Sequence, residues 1–147
     1  MLTGSESHVR DSSAPRPSEV ELAILHVLWE RGPSTVREVH ALVGKARKTG
    51  YTTVLKLMQI MAVKGMVERD VSRRSHVYRA LMKRTQTQRR LLADLLHRVF
   101  RGSGRDLVMQ ALSAHRASPE DIAEIRALLD SLERKEGADD PVHGSDA

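Results

Sequence analysis

The chain has 147 residues, 40% of them hydrophobic and only 3% aromatic, with a net charge of +5. A core of ordinary domain size is within reach, but it must be built from aliphatic side chains, which favours helices packed on helices. The lack of cysteine excludes disulfides, thiolate metal sites and cysteine nucleophiles. No apolar run approaches the roughly 18 to 20 residues of a membrane span, and the N-terminus has no signal-peptide core, so a cytoplasmic protein without membrane insertion is expected.

Residues 1–17 are Ser-rich and polar, with Pro15 and Pro17, and read as a disordered arm. Ser18 is a good N-cap, and Glu19 and Glu21 suit the positive end of a helix dipole. Val20, Ala23, Ile24, Val27 and Leu28 keep helical spacing up to a stop at Gly32-Pro33. Ser34 or Thr35 caps a second helix, in which Thr35 and Glu38 form a capping box. Val36, Val39, Leu42 and Val43 line its inner face, and Gly44 ends it. The basic connector Lys45-Ala46-Arg47-Lys48 leads to a third helix starting at Thr49 or Thr52. Val54, Leu57, Met58 and Met61 repeat there at i, i+3, i+4, i+7, and Gly65 is the stop.

Two short strands follow, Met66 to Ser72 and His76 to Leu81, joined by a turn at Arg73-Arg74-Ser75. Val67 and Val71 share one face, with Val77 as cross-strand neighbour. The turn lacks Gly and Asn, so its loop is expected to run longer than three residues. From about Thr85 the pattern is helical again. Leu91, Leu92, Leu95, Leu96 and Val99 form one stripe, and Leu107, Val108, Ala111 and Leu112 a second. Ser118-Pro119-Glu120-Asp121 then starts a helix carrying Ile122, Ile125, Leu128, Leu129 and Leu132. The tail, residues 136–147, is expected to be disordered.

Charge is segregated along the chain. Residues 45–90 hold thirteen Lys or Arg against two Asp or Glu, whereas acids outnumber bases on both sides. An ordinary solvated surface intersperses the signs, so a polyanionic partner is expected. A helix that enters a DNA major groove needs short or flexible polar side chains on its exposed N-terminal half and larger apolar ones behind. Thr52, Thr53 and Lys56 meet the first need and are the candidate base contacts. Lys45, Arg47, Lys48, Thr49, Tyr51, Arg73, Arg74 and Ser75 are the candidate backbone contacts. The plainer uses of these residues are helix capping by the threonines and protection of a sheet edge by the arginines. Such a helix backed by a charged β-hairpin is the layout of a winged helix-turn-helix. The later leucine stripes exceed what a domain of that size can cover, so Leu91, Leu92, Leu95, Leu96, Val99, Leu107, Val108, Ile122, Ile125, Leu128 and Leu129 are expected to bury in a homodimer. The seven histidines form no H-E-x-x-H or other close ligand pair. No nucleophile elbow or phosphate-cradling Gly-rich loop is present, so no enzyme activity, metal or cofactor is expected.

These residues resemble the penicillinase-repressor (BlaI/MecI-like) family of bacterial transcription repressors. The resemblance is carried by Glu21 to Trp29, Thr35-Val36-Arg37-Glu38-Val39, Tyr51-Thr52-Thr53-Val54 with Leu57-Met58, Lys64-Gly65-Met66-Val67 and His76 to Ala80, and more weakly by Phe100 to Ser103, Leu107-Val108 and Ser118 to Leu129. It implies a mainly α fold with a small β-hairpin wing: a winged helix-turn-helix domain over residues 18–82, then a helical dimerisation region over 83–135. It also implies repression from a dyad operator ahead of resistance or stress genes. In characterised relatives a membrane sensor-protease pathway leads to cleavage between Asn and Phe. Gln110-Ala111 stands at that place here, which argues against the same cleavage. Copper-sensing relatives carry C-terminal cysteine pairs, which this chain lacks, and Ile60 stands where the family usually has Arg. Two rivals remain open on the residues alone: a winged-helix protein-interaction adaptor, and a regulator that responds to a small ligand. The sparse aromatics argue against a ligand cavity.

Overall fold

The computed structural model describes residues 15–139, with side chains to residue 137. Six helices and three short strands follow in chain order: α1 (Glu19–Arg31), β1 (Ser34–Thr35), α2 (Val36–Arg47), α3 (Tyr51–Lys64), β2 (Val67–Asp70), β3 (Val77–Ala80), α4 (Arg84–Arg98), α5 (Gly104–Ala114) and α6 (Pro119–Asp139). One compact unit runs through Leu92 and a second begins at Ala93.

The first helices begin where their caps dictate. The Ser18 hydroxyl accepts the Glu21 amide at 3.2 Å, and the Glu21 carboxylate accepts the Ser18 amide at 2.9 Å. Thr35 and Glu38 repeat this capping box on α2. Each box satisfies amides that a helix start leaves unpaired. The second Glu21 carboxylate oxygen, fully buried, faces the Lys64 ammonium at 3.5 Å, and so ties the start of α1 to the end of α3.

The apolar faces of α1, α2 and α3 meet in one aliphatic core. Ile24, Leu25, Val39, Val54, Met58 and Met61 lose all solvent exposure, and Met66, Val67 and Tyr78 close the core from the sheet side. Burial of each such side chain stabilises the fold by about 1.5 to 3 kcal/mol. Leu42 does not join this face: it is 47% exposed. Its neighbour Val43, one turn beyond the buried Val39, takes the inward position instead.

The sheet is antiparallel in the order β1-β3-β2. β2 and β3 form the hairpin, with Val67 opposite Ala80, Glu68 opposite Arg79 and Asp70 opposite Val77. Glu68 and Arg79 also form an ion pair across the strands. The strands are shorter than expected, and the loop takes six residues, 71–76. Val71 therefore lies outside β2 and is exposed rather than sharing a strand face with Val67, and the cross-strand neighbour of Val77 in β2 is Asp70. β1 adds a strand where the sequence offers only a helix cap: Ser34 pairs with Tyr78 and Thr35 with Val77.

Three helix boundaries also differ from expectation. α2 does not stop at Gly44 but runs to Arg47, and the left-handed turn falls on Lys48, at φ 52° and ψ 40°. α3 starts neither at Thr49 nor at Thr52: its N-cap is Gly50. α6 continues beyond Lys135, through Gly137, to Asp139. Residues 136–139 are therefore helical rather than tail. The expected disorder at 1–14 and 140–147 lies outside the described residues.

Beyond the hairpin, the Trp29 indole N–H donates to the Met82 carbonyl at 2.8 Å. The Arg84 guanidinium lies 5.9 Å from the Trp29 ring centre and 3.7 Å from the Glu30 carboxylate. These contacts fix the point at which α4 leaves the hairpin. Among the described residues of α5 and α6 none is buried.

Candidate nucleic-acid interface

α3 is held by one side and offered by the other. Val54, Met58 and Met61 are completely buried, so the opposite face carries Thr52, Thr53, Lys56, Gln59, Ile60 and Val63, all exposed. The first turn of α3 has no side-chain cap. The N–H groups of Tyr51, Thr52 and Thr53 are thus left for an outside acceptor, at the positive end of the dipole.

The turn between α2 and α3 aims this face. Lys48 in the left-handed region donates its amide to the Gly44 carbonyl, and the Thr49 amide reaches the same oxygen at 3.2 Å. The His40 Nε2–H donates to the Thr49 carbonyl at 3.1 Å. The His40 ring also meets the Tyr51 ring edge to face, 5.8 Å between centres. Gly44 makes this approach possible. A Cβ there would lie 2.5 Å from His40 Cδ2 and 2.9 Å from the Thr49 carbonyl oxygen. Gly44 is therefore a close-packing residue, not a terminator.

The wing tip comes to the same region. Arg74, Ser75 and His76 line a cleft of about 380 Å³ together with Thr35, Val36 and Arg37 of the α2 start and Tyr51 of the α3 start; no carboxylate lines it. At the base of the wing loop, the Ser72 amide donates to the Asp70 carboxylate at 2.9 Å. Hydrogen bonds from the Ser72 side chain and amide, then the charge of Arg73, hold the Asp70 carboxyl below its ordinary value of 3.8.

The expected base-contact residues Thr52, Thr53 and Lys56 thus share one exposed surface. Tyr51, Arg74 and Ser75 meet at the cleft beside it, and Arg73 stands exposed next to Arg74. Lys45 and Lys48 are exposed around the turn. Two expected backbone contacts have other engagements. Arg47 pairs with Glu19 at 3.3 Å, and the half-buried Thr49 donates its hydroxyl to the Arg47 carbonyl at 3.4 Å. Arg37, His76 and Gln59 were not singled out from the sequence. Arg37 had a readable signal: a cation in the first turn of a helix opposes the dipole, so its placement there asks for a reason beyond helix stability. Among the described residues no His, Asp and Glu group is placed to hold a metal ion, and no helix is long and apolar enough to cross a membrane.

The family model described as penicillinase repressor matches residues 17–131. The chain belongs to the penicillinase repressor family. Two proteins named transcriptional regulator BlaI, from two strains of Mycobacterium tuberculosis, are each 30% identical to it over 131 residues, covering 86% of this chain and 92% of theirs. A solved MarR family protein from Bacillus stearothermophilus aligns over 92% of this chain and 95% of its own, with a TM-score of 0.43 and 20% identity. Membership of the penicillinase repressor family places the chain among transcriptional regulators, and its winged helix is the fold expected of it.

Proposed function

We propose that this protein binds double-stranded DNA as a homodimer and represses transcription by occupying a dyad operator. The observation that carries the proposal is a single one. The exposed face of α3 and the cationic wing tip flank a cleft without carboxylates, in the part of the chain where basic residues outnumber acidic ones thirteen to two. Thr52, Thr53 and Lys56 read base edges in the major groove. Lys45, Lys48, Tyr51, Arg73, Arg74 and Ser75 grip phosphates, and Arg37 joins them from the α2 start. Arg47 and Thr49 contribute only by exchanging their internal partners for DNA.

Dimerisation falls to α4, α5 and α6. Leu92, Leu95, Val99, Val108, Ile122, Leu128 and Leu129 are 41 to 64% exposed in the single chain, and Leu91, Leu96, Leu107 and Ile125 are half-buried. Apolar side chains at this density want a covered surface, and a second copy would set two reading helices on successive major grooves. The regulated genes are proposed to be resistance or stress genes, following the family. Cleavage at Gln110-Ala111 forms no part of the proposal. That pair lies within α5 and lacks the family's Asn-Phe chemistry.

The test is binding of the full chain to duplex DNA, followed by fluorescence anisotropy over a range of salt concentrations. Affinity should fall linearly on a log–log plot, with a slope of about 0.9 per phosphate neutralised. A chain that ignores duplex DNA at low salt refutes the proposal.

A further inference from the structure

The reading face of α3 is not polar throughout. Ile60 is 37% exposed and lies on the side opposite the buried Val54, Met58 and Met61. It stands one turn beyond Lys56, at i+4, and two turns beyond Thr53, at i+7. By helical geometry these three side chains share one stripe, about 10 Å long. A groove that accepts Thr53 and Lys56 must therefore also accept Ile60.

An isoleucine there has a narrow chemistry. It has no donor or acceptor, so every polar base edge it covered would lose water without gaining a partner. The one base-edge group in the major groove that it complements is the C5 methyl of thymine. Its β-branched side chain holds largely one χ1 rotamer in a helix, so little side-chain freedom is lost on contact. We propose that Ile60 is a specificity-determining residue that reads a thymine methyl in each half-site. This inference rests on the assignment of α3 as the reading helix and adds a base identity to it.

The experiment begins with selection of bound sequences from random duplexes by the full-length protein. Each thymine of the selected site is then replaced by deoxyuridine, which removes only the methyl. A replacement in one half-site should weaken binding about three- to fivefold, the scale of one buried methyl, and a replacement in both half-sites about ten- to twentyfold. The Ile60→Ala protein should bind the thymine and deoxyuridine sites equally. The Ile60→Gln protein should shift its preference at that position towards adenine, which glutamine reads with two hydrogen bonds. Because Ile60 is exposed, both variants should keep the wild-type helix content, checked by circular dichroism. If the protein selects a site but Ile60→Ala abolishes no methyl dependence and Ile60→Gln changes no base preference, this inference falls and the DNA-binding proposal stands. If no duplex is bound by the wild type, both fall together.

Discussion

Gly44→Ala puts the aiming of α3 to the test. At an unconstrained helix position, alanine for glycine stabilises by about 0.5 to 1 kcal/mol. Here the new Cβ would sit 2.5 Å from His40 Cδ2, 2.7 Å from His40 Nε2 and 2.9 Å from the Thr49 carbonyl oxygen. The ring can swing aside, but only by giving up its hydrogen bond to Thr49, worth about 0.5 to 1.5 kcal/mol, and its contact with Tyr51. The Thr49 carbonyl can yield only if the turn before α3 moves, and overpacking of this kind costs about 1 to 3 kcal/mol. The clash outweighs the propensity gain, and these terms combine to a net loss of about 0.5 to 4 kcal/mol. Urea denaturation followed by circular dichroism measures it. DNA affinity, measured where both proteins are folded, should also fall, because the displaced turn re-aims Tyr51, Thr52 and Thr53. Adding His40→Ala removes the ring contacts and leaves only the carbonyl. In the double-mutant cycle, Gly44→Ala should then cost less by about 0.5 to 1.5 kcal/mol, the worth of the hydrogen bond no longer given up. A stabilised Gly44→Ala protein with unchanged DNA affinity would refute the reasoning, since an ordinary helix glycine behaves that way.

Thr53→Ala or Lys56→Ala should each cost about 1 to 3 kcal/mol at the selected site and little on unrelated duplexes, read by competition anisotropy. Arg74→Ala should weaken all sequences alike and flatten the salt slope by about one unit; a loss confined to one base position would contradict a phosphate contact. Leu128→Glu, which would place an unpaired carboxylate in the proposed dimer interface, should raise the dimer dissociation constant more than about a hundredfold by sedimentation, an order set by the several kcal/mol cost of burying a lone charge. The lowered pKa of Asp70 has a definite sign. Its carboxylate supports the Ser72 turn fully above the unfolded value of 3.8, and that support is lost as pH falls through the lower folded value. The Ser72 amide resonance should therefore hold steady from pH 5 to 8 and titrate with a midpoint below 3.8; a midpoint at or above 3.8 would count against the hydrogen bonds.

Side-chain signals with local causes were legible in the sequence. Ser18 and the Thr35–Glu38 box announced two helix starts because a cap works through its own first turn. Gly65 announced the end of α3, where φ is 81° and glycine carries no Cβ penalty. The buried stripe of Val54, Met58 and Met61 followed from helical spacing alone, and with it the identity of the offered face. What stayed hidden depends on tertiary partners. Gly44 looked like a terminator because its role comes from His40 and the Thr49 carbonyl, nearby in space but not predictable from composition. Lys48 in the left-handed region has no sequence signature, as lysine rarely adopts it. β1 exists only because β3 lies beside it. Arg47 looked free for DNA because its partner Glu19 lies 28 positions earlier. The cleft that unites Arg37 with Arg74 comes from the docking of the wing against two helix starts, which no local pattern encodes.

Amide hydrogen exchange of the full chain, with and without its selected DNA, measures most directly which surface meets the duplex. Protection on binding should concentrate in residues 48–60 and in the wing loop, residues 71–76, with Arg37 in the next strongest segment and α1 unchanged. Tight DNA binding that leaves α3 and the wing loop as exchangeable as before, with protection elsewhere, would contradict the account.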